Sequence, residues 1–442
     1  MNDTFEQARR HFLDGVAQHE AGHFAAAEAA LLASLALLPG RPSTLMNLGA
    51  ARLALGRPQE ALADLQASLA AEPDQVQTLC HLGAAHQALG QPRQARDAYA
   101  QALARAPAGD PAQEVARYHL AVATVELQQP AQALEILEPL LRADEPEMAP
   151  AWLLAGQTLQ ILERHAEALP HYQQALALQP RLARAAVLLG QLLKNLGRPE
   201  QAQAVHEQAL QNGVDEELNR YLLAGLRGEA APPASPVAYV RGLFDPYAED
   251  FEPHLVHTLR YQGHEAVVQA AQRASPGRSW AAVLDLGCGS GLCGRLVRPT
   301  AQRVSGVDLS PTMIAVAQRT GCYDTLHEAD VVQHLQHTED RFDLLLAADL
   351  FIYLGDLDAV MAGARRVLRH DGLFCLTIET LSADEPAPKG YHLRPSLRYA
   401  HDAARLSTLA LGHGLQTVEQ RPVVLREDQR QPVHGAVIAL RG

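Results

Sequence analysis

Between residues 8 and 215 the chain repeats itself about every 34 residues, and nothing else in the sequence constrains the fold as strongly. A small residue opens each unit, at Gly15, Gly49, Gly83, Ala121, Gly156 and Gly190. Twelve positions later come Ala27, Ala61, Ala95, Ala133, Ala168 and Ala202, and four further on a larger side chain: Leu31, Leu65, Tyr99, Leu137, Tyr172 and His206. Proline closes several units, at Pro39, Pro73, Pro107 and Pro180. Each unit reads as two helices. The small residues let the pair approach closely, and the larger one fills the groove between neighbouring units. The proline cannot donate the backbone bond that would prolong the second helix. One unit cannot bury its apolar face alone, so the array has to stack.

This spacing resembles the tetratricopeptide repeat, most fully in unit five with Trp152, Gly156, Ala168, Tyr172 and Pro180. Unit four departs from it, with Ala121 in place of glycine after a short insertion around Pro107–Pro111. The resemblance implies an all-α superhelix whose concave groove holds a protein or peptide partner. A scaffold or dimerisation module without a peptide ligand stays open, and with it a homo-oligomer. The groove positions show no cluster of Lys or Arg suited to clamping a carboxylate. The segment Glu216–Leu226 reads as a capping helix, so the array is expected over 1–228. Gly228–Pro236 is rich in Pro and Ala and without periodicity, which places a semi-rigid linker at 229–238.

From 239 to 442 the pattern changes to short apolar runs alternating with helical segments. Strands are expected at Ala282–Leu286, Arg303–Val307, Thr325–Glu328, Phe342–Ala347, Leu373–Glu379, Leu415–Val424 and Val433–Leu440. Helical patterns separate the first five, which argues for an α/β doubly wound parallel sheet. The last two have no helix between them and should pair antiparallel at one edge.

The first of these strands runs into Asp285-Leu286-Gly287-Cys288-Gly289-Ser290-Gly291-Leu292. Glycines there permit a tight turn and bring backbone close to a ligand. The second ends at Asp308, about 20 residues beyond the loop, where a carboxylate can accept both hydroxyls of a ribose. Any adenosine ligand would suit these two features. The third glycine separates the candidates: dinucleotide folds want G-x-G-x-x-G, whereas this loop is G-x-G-x-G followed by Leu292. Asp285 stands two positions before the first glycine. A pyrophosphate has little use for a carboxylate there, and the ammonium of a methionine moiety does.

This combination resembles the first motif of class I S-adenosylmethionine-dependent methyltransferases, with a Rossmann-like sheet, and implies S-adenosyl-L-methionine as cofactor. The resemblance continues along the chain. Leu309 follows Asp308, Met313 stands where family members pack an apolar side chain near the adenine, and Asp330-Val331 matches the acidic position that accepts the adenine amino group. Cofactor contacts are therefore expected from Asp285, Gly287, Cys288, Gly289, Gly291, Asp308, Leu309, Met313, Asp330 and Val331. The segment Leu243–Val256 resembles the N-terminal lid helix of a bacterial group that joins tetratricopeptide repeats to such a domain. It adds Tyr247 as a cover for the cofactor. Asp343 reads as a solvated acid at a strand start.

For catalysis, Asp349 and Tyr353 follow the fourth strand, whose tip faces the transferring methyl group in this family. The insertion Thr380–His401 occupies the place of a substrate lid. It holds Tyr391, His392, Arg394, Arg398, Tyr399 and His401, and His401 is the preferred base there. His254 is a second candidate. The expected reaction is methyl transfer to an acceptor, either a protein or peptide recruited by the repeats or a small molecule methylated on oxygen or carboxylate. An interaction scaffold without activity is the non-enzymatic alternative.

Several classes are argued down. Ala348-Asp349-Leu350-Phe351 lacks the N/D-P-P-Y/F loop of adenine and cytosine amino-methylases, the paired-glutamate loop of arginine methylases is not visible, and no divalent-metal ligand set is evident. Leu292 argues against an NAD-dependent oxidoreductase. A net charge of −13 without basic runs gives no support for nucleic-acid binding. No apolar run reaches the roughly 18 residues of a membrane span, and Met1–Glu6 shows no secretory pattern. Five irregularly spaced cysteines suit reduced thiols in the cytoplasm.

Overall fold

The computed structural model describes residues 2–142, 146–228, 231–245, 248–428 and 430–442. Within it the chain divides into two compact units, Met1–Val205 and His206–Gly442.

Twelve helices run through the repeat region among the described residues. They are α1 (Asn2–Glu20), α2 (Phe24–Leu37), α3 (Pro42–Ala54), α4 (Pro58–Ala71), α5 (Val76–Ala88), α6 (Pro92–Arg105), α7 (Pro111–Glu126), α8 (Pro130–Leu137), α9 (Ala149–Ile161), α10 (His165–Leu178), α11 (Ala183–Asn195) and α12 (Pro199–Gln211). The prolines that close units lie just beyond the C-caps Leu38, Glu72, Ala106 and Gln179. A second set, including Pro42, Pro58 and Pro92, opens helices, where a missing N–H costs nothing. The expected close approach is realised within each unit. A Cβ on Gly15, Gly49, Gly83 or Gly156 would stand 2.6 Å from Leu31, Leu65, Tyr99 or Tyr172 of the same unit. The large side chain also reaches the next unit, as where Leu31 packs with Leu48 and Ala51.

The second unit opens with α13 (Glu216–Arg227), α14 (Val237–Phe244), α15 (Ala248–Pro253) and α16 (Gly263–Ala274). There follow β1 (Trp280–Leu286), α17 (Leu292–Val297), β2 (Ala301–Asp308), α18 (Pro311–Arg319), β3 (Thr325–Glu328), α19 (Val331–His337), β4 (Phe342–Ala347), α20 (Asp358–Val367) and β5 (Leu368–Thr380). The chain ends with β6 (Tyr391–Leu393), β7 (Tyr399–His401), α21 (Ala403–Gly412), β8 (Gln416–Asp428) and β9 (Gln431–Arg441). Strands β3, β2, β1, β4 and β5 pair parallel in that order. β9 joins β5 antiparallel and carries β8 on its outer side. The two final runs thus pair as expected, with β9 inside and β8 at the edge.

The sheet is apolar on both faces, as helices on each side require. Leu284, Leu286, Leu345 and Phe374 bury against α20 on one face. Val283, Leu344, Leu346 and Cys375 bury against α16 on the other. Strand order reverses between β1 and β4, and the tips of the parallel strands there form the crevice in which such sheets take ligands.

Three expectations change. The Thr380–His401 insertion, expected at the place of a substrate lid, is built into the sheet: β7 adds to β5 through Glu379 and Thr380, and β6 pairs with β7. The Pro/Ala stretch is docked rather than left as a spacer. Proline carbonyls still accept, and Pro233 O takes Gly355 N at 2.8 Å while Pro232 O takes the Tyr399 hydroxyl at 2.8 Å. Asp343 is not merely solvated. Its Oδ2 accepts from Ala282 N at 2.8 Å and from Arg369 at 3.0 Å, tying the starts of β4 and β1 together. Among the described residues no helix is long and apolar enough to cross a membrane.

Candidate functional site

A cavity of about 550 Å³ opens over the tips of β1, β2, β3 and β4. Gly287, Cys288, Gly289, Asp308, Leu309, Met313, Asp330, Val331, Asp349 and Tyr353 all line it, as the sequence suggested. Gly287 and Gly289 have φ of 67° and 50°, left-handed values that let the loop fold back over the strand end. A Cβ on Gly287 would press on Leu350 at 3.1 Å.

Asp308 organises the loop as well as facing the cavity. Its Oδ2 accepts from Gly289 N and its Oδ1 from Ser310 N, both at 2.9 Å. Burial pushes its carboxyl up from the usual range, while those backbone donors pull the other way. Asp330 caps α19, its Oδ1 accepting from Val332 N at 2.9 Å and Gln333 N at 3.0 Å. Met313 and Val331 are buried beside it and supply the apolar floor.

Three expected residues lie elsewhere, and Tyr247 falls outside the described residues. Asp285 is buried beneath the loop and does not line the cavity. Its Oδ2 accepts the Tyr323 hydroxyl at 2.6 Å, so it braces the loop from below. Burial pushes its carboxyl up to about 7, against the Tyr323 hydrogen bond. Gly291 also packs rather than lines. With φ of 94° it starts α17, and a Cβ would meet Tyr323 at 3.2 Å.

His401 is the third. Its place in β7 turns it into the protein, 3% exposed, with Nε2 2.9 Å from the Phe351 carbonyl oxygen. Burial pushes its pKa down to about 4, leaving a neutral ring held by main chain. It is a structural histidine of the β5–β7 seam and lies off the cavity lining. His254 does line the cavity, at the start of the π-turn His254–Thr258.

The sequence also missed a buried ionic wall at the far end. Arg426 on β8 is 1% exposed. It donates to Asp349 Oδ2 at 2.7 Å and to Glu379 Oε1. Glu379 is shared with Arg394 at 2.7 Å, which in turn pairs with Glu385 at 2.6 Å. Asp349 has φ of 56°, and its backbone N donates to Thr377 Oγ1 at 2.8 Å. Tyr261 and His264 stack beside this wall, ring centroids 5.3 Å apart, and both line the cavity. The main chain puts them there: Gln262 N donates to Leu425 O and Glu427 N to Leu259 O, lacing the segment before α16 to β8 around Arg426. No local motif announces a contact between residues 77 positions apart, as Asp349 and Arg426 are.

The segment from α14 onward forms the cavity's outer side. Arg241 donates to Leu309 O at 3.0 Å and to Glu328 at 2.6 Å. Asp245 accepts from Ser310 and Thr312 hydroxyls. Phe244 meets Phe251 and Tyr353 edge to face.

A family model described as a methyltransferase domain matches residues 283–372, the stretch from β1 into β5 that carries the glycine loop, Asp308 and Asp330. A tetratricopeptide repeat model matches residues 40–108 and 147–212. The chain joins tetratricopeptide repeats to a methyltransferase domain. Outside those models, a release factor glutamine methyltransferase of Geobacter sulfurreducens is 34% identical over 160 residues, 34% of this chain and 55% of that protein. A malonyl-[acyl-carrier protein] O-methyltransferase of Enterobacter lignolyticus is 28% identical over 186 residues, 41% of this chain and 64% of that protein. The chain therefore spans between about half and two thirds of the length of these curated relatives. Among solved structures, N-methyltransferase NodS from Bradyrhizobium japonicum WM9, in complex with S-adenosyl-l-homocysteine, aligns with a TM-score of 0.37 and 17% identity, over 46% of this chain and 97% of that one.

Proposed function

We propose that this protein transfers a methyl group from S-adenosyl-L-methionine to an acceptor seated between the glycine loop and the Asp349–Arg426 wall. The observation that carries this reading is the set of three strand tips converging on one cavity: Gly287 and Gly289 after β1, Asp308 after β2, Asp330 after β3. Their chemistry suits an adenosine with an amino-acid tail. Asp308 keeps lone pairs for two ribose hydroxyls while bonded to two backbone N–H groups. Asp330 Oδ2 takes no hydrogen bond among the described residues, which suits an adenine amino group. Ser290 Oγ is buried in the loop and has no hydrogen-bond partner among the described residues.

Bound there, the cofactor supplies a methyl group activated by a sulfonium. The remaining work is alignment and exclusion of water. Met313, Val331 and Leu309 hold the adenosine end, and Phe244, Phe251 and Tyr353 add apolar lining that packs edge to face. The acceptor is either a protein or peptide recruited by the repeats or a small molecule whose methylated atom enters the cavity. Free cysteines at five positions suit a reducing cytoplasm.

Calorimetry with S-adenosylmethionine and NADH tests the donor, and only the former should bind. Incubating a cell extract with the intact protein and methyl-labelled cofactor tests the acceptor. Label in protein supports recruitment by the repeats, label in the small-molecule fraction supports the second acceptor class, and no transferred label sinks the enzymatic reading.

A further inference from the structure

Among the described residues two guanidiniums line the cavity, and they are held in opposite ways. Arg426 is 1% exposed and engaged by Asp349 and Glu379. Arg398 keeps 28% of its side-chain surface, and its guanidinium makes one hydrogen bond among the described residues, from Nη1 to Asp428 Oδ2 at 3.2 Å. Its Nε and Nη2 have no partner there, and neither is sealed from solvent. Those two N–H groups form one edge of the guanidinium, the fork that meets both oxygens of a carboxylate.

The backbone that carries this edge is fixed. Arg398 ends the turn between β6 and β7, where Leu397 N donates to Arg394 O at 2.8 Å and Arg394 N donates to Arg398 O at 3.0 Å. Leu397 O accepts the hydroxyl of Tyr221, from α13, at 2.6 Å. The same hydroxyl accepts from Ser235 Oγ at 2.8 Å, and Ser235 N donates to Tyr353 O at 2.8 Å. One chain of hydrogen bonds thus sets both Arg398 and Tyr353 in the cavity wall. The charge is felt along that wall: burial pushes the Tyr353 phenol up to about 12, and Arg398 pulls the other way.

Position and charge limit what the edge can take. In the strand order β3-β2-β1-β4-β5-β7, Arg398 precedes the strand farthest from Asp308 and Asp330, away from the adenosine pole. Val237, Val240, Phe244 and Leu354 add apolar lining, against which a charge-assisted pair is strong. Two acids bound the charge that can enter: Asp428 on Nη1, and Glu217, exposed on α13 and also lining the cavity. A phosphate would bring up to two negative charges toward them. A carboxylate brings one and matches the fork.

We propose that the Nε–Nη2 edge of Arg398 anchors a carboxylate on the methyl acceptor, which makes Arg398 a specificity-determining residue. This rests on the reading of the cavity as a methyl-transfer site. It selects acidic acceptors over neutral ones of the same shape.

The test uses the full chain, S-adenosylhomocysteine, and three probes of one shape, 2-naphthoate, 2-naphthol and 2-naphthyl phosphate, titrated calorimetrically. Saturable S-adenosylhomocysteine binding by the parent reports the donor reading alone. If it is absent, that reading fails, and the anchor is judged by the same preferences on the unloaded protein. On the loaded protein 2-naphthoate should bind at least about tenfold more tightly than 2-naphthol, the worth of one charge-assisted pair, and more tightly than the phosphate. Arg398→Gln should bring 2-naphthoate to within about threefold of 2-naphthol and hold S-adenosylhomocysteine within about twofold. A parent that does not bind 2-naphthoate, or binds it no better than 2-naphthol, overturns the anchor. So does an Arg398→Gln variant that keeps the parent's preference. Tighter binding of the phosphate overturns the carboxylate assignment. An Arg398→Gln variant that loses S-adenosylhomocysteine as severely as 2-naphthoate overturns the acceptor role, since the edge would then hold the cofactor's own carboxylate.

Discussion

The two ends of the cavity are built on different plans. The adenosine pole takes its residues from consecutive strand tips, and each residue is held by its own neighbourhood: Asp308 by Gly289 and Ser310, Asp330 by the start of α19. The proposed acceptor pole is assembled across the chain. Asp349 follows β4, Glu379 ends β5, Arg426 sits in β8, and Tyr261 arrives from before the first strand. Hydrogen bonds to main-chain N–H groups shape the first, and a buried charge network shapes the second. Errors in the second should therefore cost fold stability, and errors in the first should cost ligand affinity.

The largest expected effect tests this division directly. Arg426→Met leaves Glu379 buried with only Arg394 and strips Asp349 of its cation. Removing one partner of a buried pair typically costs ~3–5 kcal/mol, read as a drop in the urea midpoint of the methyltransferase unit's transition in the full chain. If the midpoint holds while cofactor affinity collapses, the two poles are not separable in this way.

Asp285 comes next, because it lies under the adenosine pole and yet is buried. Its carboxyl titrates at about 7 in the folded chain, against an ordinary value of 3.8. The folded form thus holds a proton that the unfolded form gives up. The associated stability is fully present below about pH 4, falls as pH rises, and is gone above about 7, a span on the order of 4 kcal/mol. The melting temperature should decline between pH 5 and 8, and Asp285→Asn, which can still accept from Tyr323, should flatten that decline. A parent melting temperature that is level or rising over this range would contradict the burial assigned to Asp285.

Asp308→Ala should instead act on affinity. Loss of a charge-assisted contact to the ribose is worth ~2 kcal/mol, or about a 30-fold rise in the dissociation constant for S-adenosylmethionine by calorimetry, with a smaller change in thermal stability. The smallest effect is expected at Gly287. An alanine there meets a φ of 67° and the side chain of Leu350 at 3.1 Å, a strain of ~1–2 kcal/mol. Part of that strain falls on the fold itself, so about fivefold to tenfold weaker cofactor binding, the equivalent of ~1–1.4 kcal/mol, should follow without loss of the fold. An unchanged dissociation constant would mean that the loop tolerates reshaping at its first glycine.

The same contrast decides how much was legible beforehand. The repeats were readable because the glycine of four units meets a side chain only sixteen positions away, as Gly83 meets Tyr99, so sequence spacing maps onto contact. The strands were readable as apolar runs, because the sheet is covered on both faces. The glycine loop, Asp308 and Asp330 were readable because strand tips convert a local motif into a position. His401 was misjudged for a specific reason. Its place after the fifth strand made 380–401 look like a substrate lid, whereas β7 pairs with β5 and turns the imidazole onto the Phe351 carbonyl. Tyr323 left a weak signal, a single aromatic before a short strand, and nothing in the sequence tied it to Asp285.

By itself, then, the sequence determined what periodicity and short-range geometry can encode: a stacked helical array, a parallel sheet with an antiparallel end, and the glycine loop with its two acidic partners. Tertiary structure alone decided which carboxylates face the cavity and which brace it, and it alone brought Arg426 to Asp349 and Glu379. The physical reason is that a hydrogen bond within a turn depends on neighbours in the chain, whereas a buried charge depends on whatever long-range packing delivers to neutralise it.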